Sequence, residues 1–326
     1  MPDLPVREAV TEPKVQARLV EVTEAHEGQR LDNFLIRLCK GVPKSHLYKA
    51  VRGGQVRVNR GRCQVDYRLQ LGDVVRIPPI RVASSTAPEA PAKTFEVIYQ
   101  DDAILVINKP PGVAVHGGSG VSHGVIESLR AANPDLRFLE LVHRLDRDTS
   151  GLLMLAKRRN ALVKLHAMMR EGKVNKHYLA LVEGRVANDR QHLKAPLTKW
   201  LTASGERRVR VDPQGQPAHT IVTCVERYVD CALLDCELRT GRTHQIRVHL
   251  SSIGHPILGD TKYGSDEQLA SWRELGIKRM FLHAWRLAFD HPLTGQRLAL
   301  EAPMPGSFHG FIQDISKKST KNREGG

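Results

Sequence analysis

Cysteine is scarce in this sequence, and its few copies are spaced neither for a disulfide framework nor for a metal. No Cys-x-x-Cys pair occurs among Cys39, Cys63, Cys224, Cys231 and Cys236. An odd, scattered set argues against paired disulfides and against a zinc ribbon. We therefore predict no metal site. Cys236 shares its strand face with apolar residues, so we expect an inert buried thiol there.

Long hydrophobic runs are also missing. The longest aliphatic stretches, Ala103–Ile107 and Leu152–Ala156, are far shorter than the roughly 20 residues that a membrane-spanning helix needs. The opening residues, Met1–Pro5, have neither the basic segment nor the apolar core of a secretory signal. The sequence therefore predicts a soluble, cytoplasmic protein without a membrane partner.

Two widespread catalytic arrangements are absent as well. No Gly-Lys-Ser or Gly-Lys-Thr follows a glycine-rich turn, which a phosphate-binding P-loop requires. The Gly-x-Ser-x-Gly match at Gly120–Gly124 follows a glycine-rich run and not a predicted strand, so it is not the strand-to-helix nucleophile turn of an α/β-hydrolase. These absences exclude P-loop nucleotide hydrolysis and esterase chemistry of the α/β-hydrolase kind.

Positive charge is present in excess. Lys and Arg number 49 against 35 Asp and Glu, a formal net charge of +14. Half of it, +7, lies in residues 18–82, which hold 13 basic and six acidic residues, and residues 315–326 add +3. This concentration suits a nucleic-acid phosphate backbone. A solvated basic face would have the same composition, so charge alone leaves the partner open.

The composition changes along the chain divide it into two domains. Residues 1–17 lack periodicity and are predicted to be a disordered extension. Residues 18–82 predict a small α/β domain of two short helices, the second capped by Ser45, and a hairpin. Residues 83–94 contain only small, proline and charged residues, as linkers do. Residues 95–312 form the larger domain, and residues 313–326 are predicted to be a basic, flexible tail.

The larger domain predicts an α+β fold. Predicted strands often follow one another without a helix between them, and the hairpin turn Leu293–Gly295 joins the last two strands. We therefore expect a central, mostly antiparallel mixed β-sheet flanked by helices at about 122–132, 160–171 and 243–253.

Two polar runs in this domain are candidates for chemistry. His143–Gly151 lies between two apolar strands, where a loop can be held rigidly enough for catalysis, although a surface turn with local ion pairs is the plainer alternative. Thr240–His249 predicts a Thr-capped helix, with Arg242 near its N-terminus in a position that suits an anion. On these grounds Arg247 is equally suited to an internal carboxylate or to a ligand.

These runs together resemble the uridine-isomerising pseudouridine synthases. His143–Gly151 is similar to the family's catalytic motif, and the resemblance makes Asp146 the essential carboxylate. Lys176–Ala180 resembles the second motif, which implies that Tyr178 lines the pocket. Gly241–His249 resembles the third, which implies that Arg247 pairs with Asp146. His255–Asp260, with Tyr263–Gly264, and Leu282–Ala284 also fit. The resemblance covers about residues 18–310, and Gly41–Ser45 with Ser204–Arg207 favours a branch of the family that acts on large-subunit ribosomal RNA.

The first domain is similar to the S-four type RNA-binding domain, on Gly28–Asp32 and Val56–Asn59. Basic residues in both domains are therefore candidates for RNA contact. Those predicted are Arg144, Arg147 and Arg242 beside the catalytic carboxylate, and Lys44, Lys49, Arg52, Arg57 and Arg60 in the first domain.

The resemblance implies an isomerisation in which uracil leaves its ribose through nitrogen 1 and rejoins it through carbon 5, with no cofactor. The carboxylate can attack the sugar or the base, or assist removal of a sugar proton, and each start needs an ionised Asp146, which a nearby guanidinium stabilises. Large-subunit (23S) ribosomal RNA, alone or in assembly intermediates, is the expected partner of a monomeric enzyme. The rival hypothesis is a non-catalytic RNA-binding ribosome-assembly factor, which would not need Asp146, Tyr178 and Arg247 together.

Overall fold

The structure, a computed structural model, describes residues 16–23, 26–39, 41–80, 90–117, 123–136, 138–203 and 205–324, with only the backbone at 316–324. The chain forms two compact units, with the boundary between Pro88 and Glu89. Most of the predicted extension (1–17) and of the predicted linker (83–94) lies outside the described residues.

The N-terminal unit packs two short helices against a small antiparallel sheet. Its elements are β1 (Arg18–Glu21), α1 (Leu31–Leu38), α2 (Lys44–Arg52), β2 (Arg57–Val58) and β3 (Val74–Ile77), and the strands lie in the order β1-β3-β2.

The helical spacing predicted in this unit is present, with one difference at a helix start. Leu31, Phe34 and Leu35 on α1 are fully buried, because residues three and four apart share a helix face. The second helix begins at Lys44, directly after Pro43, and no side chain caps it. The prediction that Ser45 caps this helix was therefore wrong.

The C-terminal unit contains the remaining elements. Its strands are β4 (Glu96–Gln100), β5 (Ile104–Lys109), β6 (Glu140–Leu141), β7 (Ser150–Ala156), β8 (Asn175–Glu183), β9 (Arg190–Leu193), β10 (Leu197–Leu201), β11 (Arg207–Val211), β12 (Thr220–Arg227), β13 (Cys231–Leu238), β14 (Leu282–Asp290) and β15 (Arg297–Glu301). Its helices are α3 (Val125–Ala132), α4 (Arg159–Arg170), α5 (Gln245–Ser252), α6 (Asp266–Glu274) and α7 (Gly306–Glu324).

A large mixed sheet organises this unit, in the order β4-β5-β7-β14-β8-β13-β12-β9, while β10 and β11 form a separate hairpin. Within the described residues, β7 and β14 are the one parallel pair of strands, through His283 with Ser150 and Ala284 with Gly151. The predicted α+β class, with a mostly antiparallel mixed sheet flanked by helices, is confirmed.

Gly151 occupies the closest approach in that parallel pair. Its φ of +106° is one that residues with a side chain rarely adopt. A Cβ at this position would overlap the carbonyl oxygen of Ala284 on β14. The residue at 151 must therefore be glycine for β7 to pair with β14 at this point.

The end of the chain differs from the flexible tail predicted for residues 313–326. The backbone is helical over Gly306–Glu324, as α7. Phe308 is fully buried and stacks on Phe281 with ring centroids 4.8 Å apart, and Phe311 packs against the same ring. The apolar residues at the start of α7 therefore attach it to the core, and the basic residues follow on the same helix.

Candidate active site

The loop that joins β6 to β7 is tied to the core at two places. His143 Nε2 accepts a hydrogen bond from the Met154 amide at 3.0 Å. Lys109, fully buried at the end of β5, donates to the carbonyl oxygens of Pro110, Val113 and Arg147 at 2.8, 2.9 and 3.0 Å. Burial lowers the pKa of Lys109 to about 7. These bonds fix both sides of Asp146, which lies between His143 and Arg147.

Two histidines, His283 buried and His143 part-buried, predict an acid-dependent loss of stability. Burial lowers the pKa of His143 and of His283 to about 4, whereas an exposed histidine titrates near 6.5. Between these values the unfolded chain binds more protons than the native one. The free energy of unfolding is therefore unaffected by these histidines above pH 6.5 and decreases as the pH falls towards 4. The loss should reach up to about 3 kcal/mol for each histidine.

Denaturant unfolding between pH 7.5 and 4 measures this loss. A His283→Asn variant is expected to lose stability less steeply than wild type over that range, whatever its stability at pH 7.5. Parallel curves for the two proteins would contradict the assignment to His283.

Asp146 and Arg247 are in direct contact, although 101 residues separate them. Arg247 Nη1 donates to Asp146 Oδ2 at 3.2 Å. The same guanidinium binds Asp260 with both other nitrogens, Nε to Oδ2 and Nη2 to Oδ1, each at 2.7 Å. The Arg247 side chain is 5% exposed, the Asp260 side chain is 0% exposed and the Asp146 side chain is 19% exposed. Arg247 thus links the buried carboxylate of Asp260 to the partly exposed carboxylate of Asp146.

The charges around Arg247 keep it protonated. Burial alone would lower the pKa of its guanidinium, but the hydrogen bonds and negative charges of Asp260 and Asp146 raise that pKa above its ordinary value. A two-point contact between guanidinium and carboxylate also fixes the plane of both groups. Asp260 therefore orients Arg247, and Arg247 orients Asp146.

A cavity of about 510 Å³ opens beside Asp146. Tyr178 on β8 lines it and is 6% exposed; burial, with a smaller contribution from the negative charge of Asp146, raises the pKa of its phenol. Lys176, two residues earlier on the same strand, also lines the cavity, and burial lowers its pKa. The three predicted catalytic residues, Asp146, Tyr178 and Arg247, therefore line one cavity.

The arginines predicted to contact RNA near this cavity separate into two groups. Arg144 and Arg242 line it. Arg242 Nε also donates to the Pro217 carbonyl oxygen at 3.1 Å. Arg147 is not among the lining residues; its side chain is 63% exposed and its Nε lies 3.4 Å from Asp148 Oδ1. The chain turns between Arg144 and Arg147, so the two side chains do not share one wall.

The start of α5 differs from the predicted Thr cap. The N-cap residue is His244, in the left-handed conformation at φ 54°, and it makes no side-chain capping bond. Thr240 Oγ1 instead donates to Gln245 Oε1 at 2.7 Å, and the Arg242 amide donates to the same oxygen at 3.0 Å. The turn before the helix is therefore held by Gln245.

Sequence reasoning did not assign a role to three residues that the structure places around the carboxylate. Asp260 binds Arg247, Tyr263 contacts Arg247 through its ring at 5.1 Å from the guanidinium carbon, and His244 faces Asp146. All three stood in runs that fitted the family, which was the available signal. Nothing in spacing alone connects Tyr263 or His244 to Asp146.

The basic residues of the N-terminal unit that were predicted to contact RNA fall into two groups. Arg57, Arg60 and Arg76 line a surface depression. Arg76 on β3 lies opposite Arg57 on β2 in the antiparallel strand pair. The turn that carries Arg60 is left-handed at Asn59 and Arg60, with φ of 49° and 67°. Lys44, Lys49 and Arg52 are exposed on α2 and do not line the depression.

Two kinds of feature are absent from the described part of the chain. There, no three His, Cys, Asp or Glu side chains cluster as metal ligands would. No helix among those residues has the length and apolar character to cross a bilayer. The two histidines of α5's motif, His244 and His249, have different partners, Tyr263 and the pair Thr220 and Ala195.

Comparison with protein families gives two matches in order along the chain. A family model described as S4 domain matches residues 29–75. A second, described as RNA pseudouridylate synthase, matches residues 103–252, which include Asp146, Tyr178 and Arg247.

Whole-chain relatives agree with both matches. Ribosomal large subunit pseudouridine synthase C of Escherichia coli K12 is 50% identical over 308 residues, 91% of this chain and 96% of that protein. The protein of the same name from Haemophilus influenzae is 47% identical over 305 residues, 91% of this chain and 95% of its own. A solved structure, Human RNA Pseudouridylate Synthase Domain Containing 4, is 26% identical with a TM-score of 0.57, covering 68% of this chain and 93% of that one. Two family matches and near-half identity across nine-tenths of the chain lead to one conclusion: this protein belongs to the RNA pseudouridylate synthases and carries an S4 domain before its catalytic unit.

Proposed function

We propose that this enzyme isomerises specific uridines to pseudouridine in large-subunit (23S) ribosomal RNA, through the Asp146 carboxylate and without a cofactor. The relatives named for the large ribosomal subunit support the substrate class. The observation that carries the mechanism is the position of Asp146 at a polar cavity, with one oxygen held by Arg247.

The reaction breaks the bond from ribose to nitrogen 1 of uracil, and the base then turns and bonds through carbon 5, which loses its hydrogen. Asp146 starts the reaction, and Arg247 holds its carboxylate at a fixed angle. Tyr178, buried on β8, packs against the base and takes part in proton transfer at carbon 5. Each of these roles uses a side chain that lines the cavity.

RNA must present the uridine outside its stack, because the cavity admits a nucleotide and not a helix. Extrusion of a base from structured RNA costs a few kcal/mol. Arg144 and Arg242, on the wall of the cavity, bind the phosphates next to the target and offset this cost. Arg147, exposed outside the cavity, binds the backbone farther along the strand.

We place this activity in the cytoplasm, where ribosomal RNA is made in bacteria, and in a monomer, because the residues of the proposed mechanism come from one chain. Free ribosomal RNA and ribosome-assembly intermediates are both substrates under this proposal.

Modification mapping tests the function directly. Unmodified large-subunit RNA, free and in partly assembled particles, is incubated with the protein, treated with carbodiimide and read by reverse transcription, with unmodified small-subunit RNA as the control. We expect stops at specific uridines of the large-subunit RNA alone. No stops in either form of that RNA would contradict the proposal and would favour a non-catalytic assembly factor.

The basic surface of the N-terminal unit gives a prediction on affinity. Arg57 lies with Arg60 in the surface depression, whereas Lys44, Lys49 and Arg52 supply charge from α2. For every phosphate that the protein ceases to neutralise, the slope of log affinity against log salt should become shallower by about 0.7–0.9. An Arg57→Ala variant is therefore expected to bind large-subunit RNA more weakly and with a shallower salt dependence.

The matched control is Arg297→Ala, which removes one exposed cation from β15 in the other unit. Filter binding of both variants across a salt series separates a local interaction with RNA from an effect of net charge. If the two variants have the same salt slope, the depression has no special part in binding.

A further inference from the structure

His244 occupies a backbone conformation that residues with a side chain seldom adopt. Its φ of 54° lies in the left-handed region, where a Cβ comes close to the following carbonyl oxygen. The residue is the N-cap of α5, yet its side chain does not cap the helix. Helix capping therefore does not account for a histidine at this position, whereas the contacts of its ring do.

The ring of His244 is held by Tyr263. His244 Nδ1 lies 2.7 Å from Tyr263 Oη, and the two rings meet edge to face at 5.6 Å. Tyr263 Oη already accepts a hydrogen bond from the Val209 amide at 3.1 Å. Among the described residues the other hydrogen-bond partner of Oη is His244 Nδ1, so the phenol donates its proton to Nδ1. In a neutral imidazole, an accepting Nδ1 places the ring proton on Nε2.

The surroundings favour that neutral ring. Burial lowers the pKa of His244, and the positive charges of Arg247 and Lys262 act in the same direction. The negative charges of Asp146 and Asp260 oppose them without reversing the shift. At neutral pH, Nε2 is therefore a hydrogen-bond donor and not part of a cation.

The two oxygens of Asp146 have different neighbours. Oδ2 accepts from Arg247 at 3.2 Å. Oδ1 faces His244 Nε2 at 3.9 Å, which is longer than a hydrogen bond, and both residues line the cavity. Oδ2 thus accepts a direct hydrogen bond, whereas Oδ1 has no hydrogen-bond partner among the described residues and lies beside a donor.

We propose that Asp146 reacts through Oδ1, and that His244 and Tyr263 are positioning residues that keep this oxygen directed into the cavity. The inference rests on the proposed isomerisation. Tyr263 sets the tautomer of His244, and His244 Nε2–H limits how far the Asp146 carboxylate can rotate about its bond to Arg247. The Nε2–H bond stays intact, so neither residue exchanges a proton with the substrate.

Tyr263→Phe tests the first contact, because it removes one hydroxyl and leaves the ring against Arg247. We expect kcat to fall about 10- to 100-fold while KM for RNA changes little, since misplacement by about 1 Å can lower a rate 100-fold. The assay is release of tritium from carbon 5 of labelled uridines in large-subunit RNA. The matched control is Tyr99→Phe, which loses a hydroxyl bond to Asp101 Oδ2 of 2.9 Å outside the cavity and should keep wild-type kcat.

A pair of substitutions at His244 separates positioning from folding. The amide nitrogen of His244→Gln reaches the place of Nε2, whereas His244→Asn reaches only the place of Nδ1 and accepts the left-handed backbone more readily. We expect the Asn variant to have the higher thermal midpoint and the Gln variant the higher kcat.

The results that overturn this inference are distinct from those that overturn the function. Two results would refute the positioning role alone, provided that the wild-type enzyme releases tritium. One is an unchanged kcat in Tyr263→Phe, and the other is an equal kcat in His244→Asn and His244→Gln. A wild-type enzyme that releases no tritium from large-subunit RNA would refute the proposed isomerisation and this inference with it.

Discussion

An Asp146→Asn enzyme is expected to leave no carbodiimide-dependent stops in large-subunit RNA, a loss of at least about 1,000-fold, while it binds that RNA as wild type does. Asparagine keeps an oxygen that accepts from Arg247, and Arg247 retains its two bonds to Asp260. The fold and the basic walls of the cavity therefore persist. What the variant lacks is an ionised oxygen that can attack or take a proton.

Asp148→Asn is the matched control for this experiment. Asp148 lies two residues away in the same loop, is 41% exposed on its side chain and pairs with Arg147 outside the cavity. It should keep its stops. Retained stops in Asp146→Asn, or equal losses in the two variants, would contradict the role of Asp146, and lost RNA binding would show that the change is not local.

Asp260→Ala is expected to lower the free energy of unfolding by about 3–5 kcal/mol, because it leaves the buried guanidinium of Arg247 with the partial support of Asp146 alone. Asp260 also accepts the amides of Lys262 and Tyr263 at 2.9 and 3.3 Å, so the turn after it loses its anchor. In a unit of this size the thermal midpoint should fall by roughly 6–20 °C.

Calorimetry of the full chain measures this change against two further variants. Asp290→Ala breaks an exposed pair with Arg297, at 3.2 Å, and should cost at most about 1 kcal/mol. Asp260→Ala combined with Arg247→Met removes both buried charges and should recover part of the stability without the activity. A loss in Asp260→Ala no larger than that in Asp290→Ala would mean that the buried pair adds little to the fold.

The sequence predicted the elements whose signal is local. Helical spacing located α1, and apolar runs located β5, β7 and β13, because burial of one face imposes its period on the residues themselves. Phe308, Phe311 and Ile312 had the same helical spacing, but no helix was predicted there, and the basic residues that follow were predicted to be a flexible tail from residue 313.

The residues of the site also differ in how far the sequence predicted them. The contact of Asp146 with Arg247 was expected from resemblance, since 101 intervening residues carry no local signal. The role of Asp260 was missed because an aspartate after glycine has the pattern of a surface turn, and only the fold shows that it is buried. His244 was missed because the threonines before it predicted a cap.

Gly151 sets a limit for anyone who wishes to redirect this enzyme to other uridines. A library can vary the cavity walls at Arg144 and Arg242, where side chains face open space. It should leave position 151 untouched, because any side chain there would push β14 away from β7 and carry the loop that holds Asp146 with it. The loop can therefore vary at Arg144 but not where it rejoins the sheet at Gly151. In a library that also randomises position 151, most variants would fail to form the cavity.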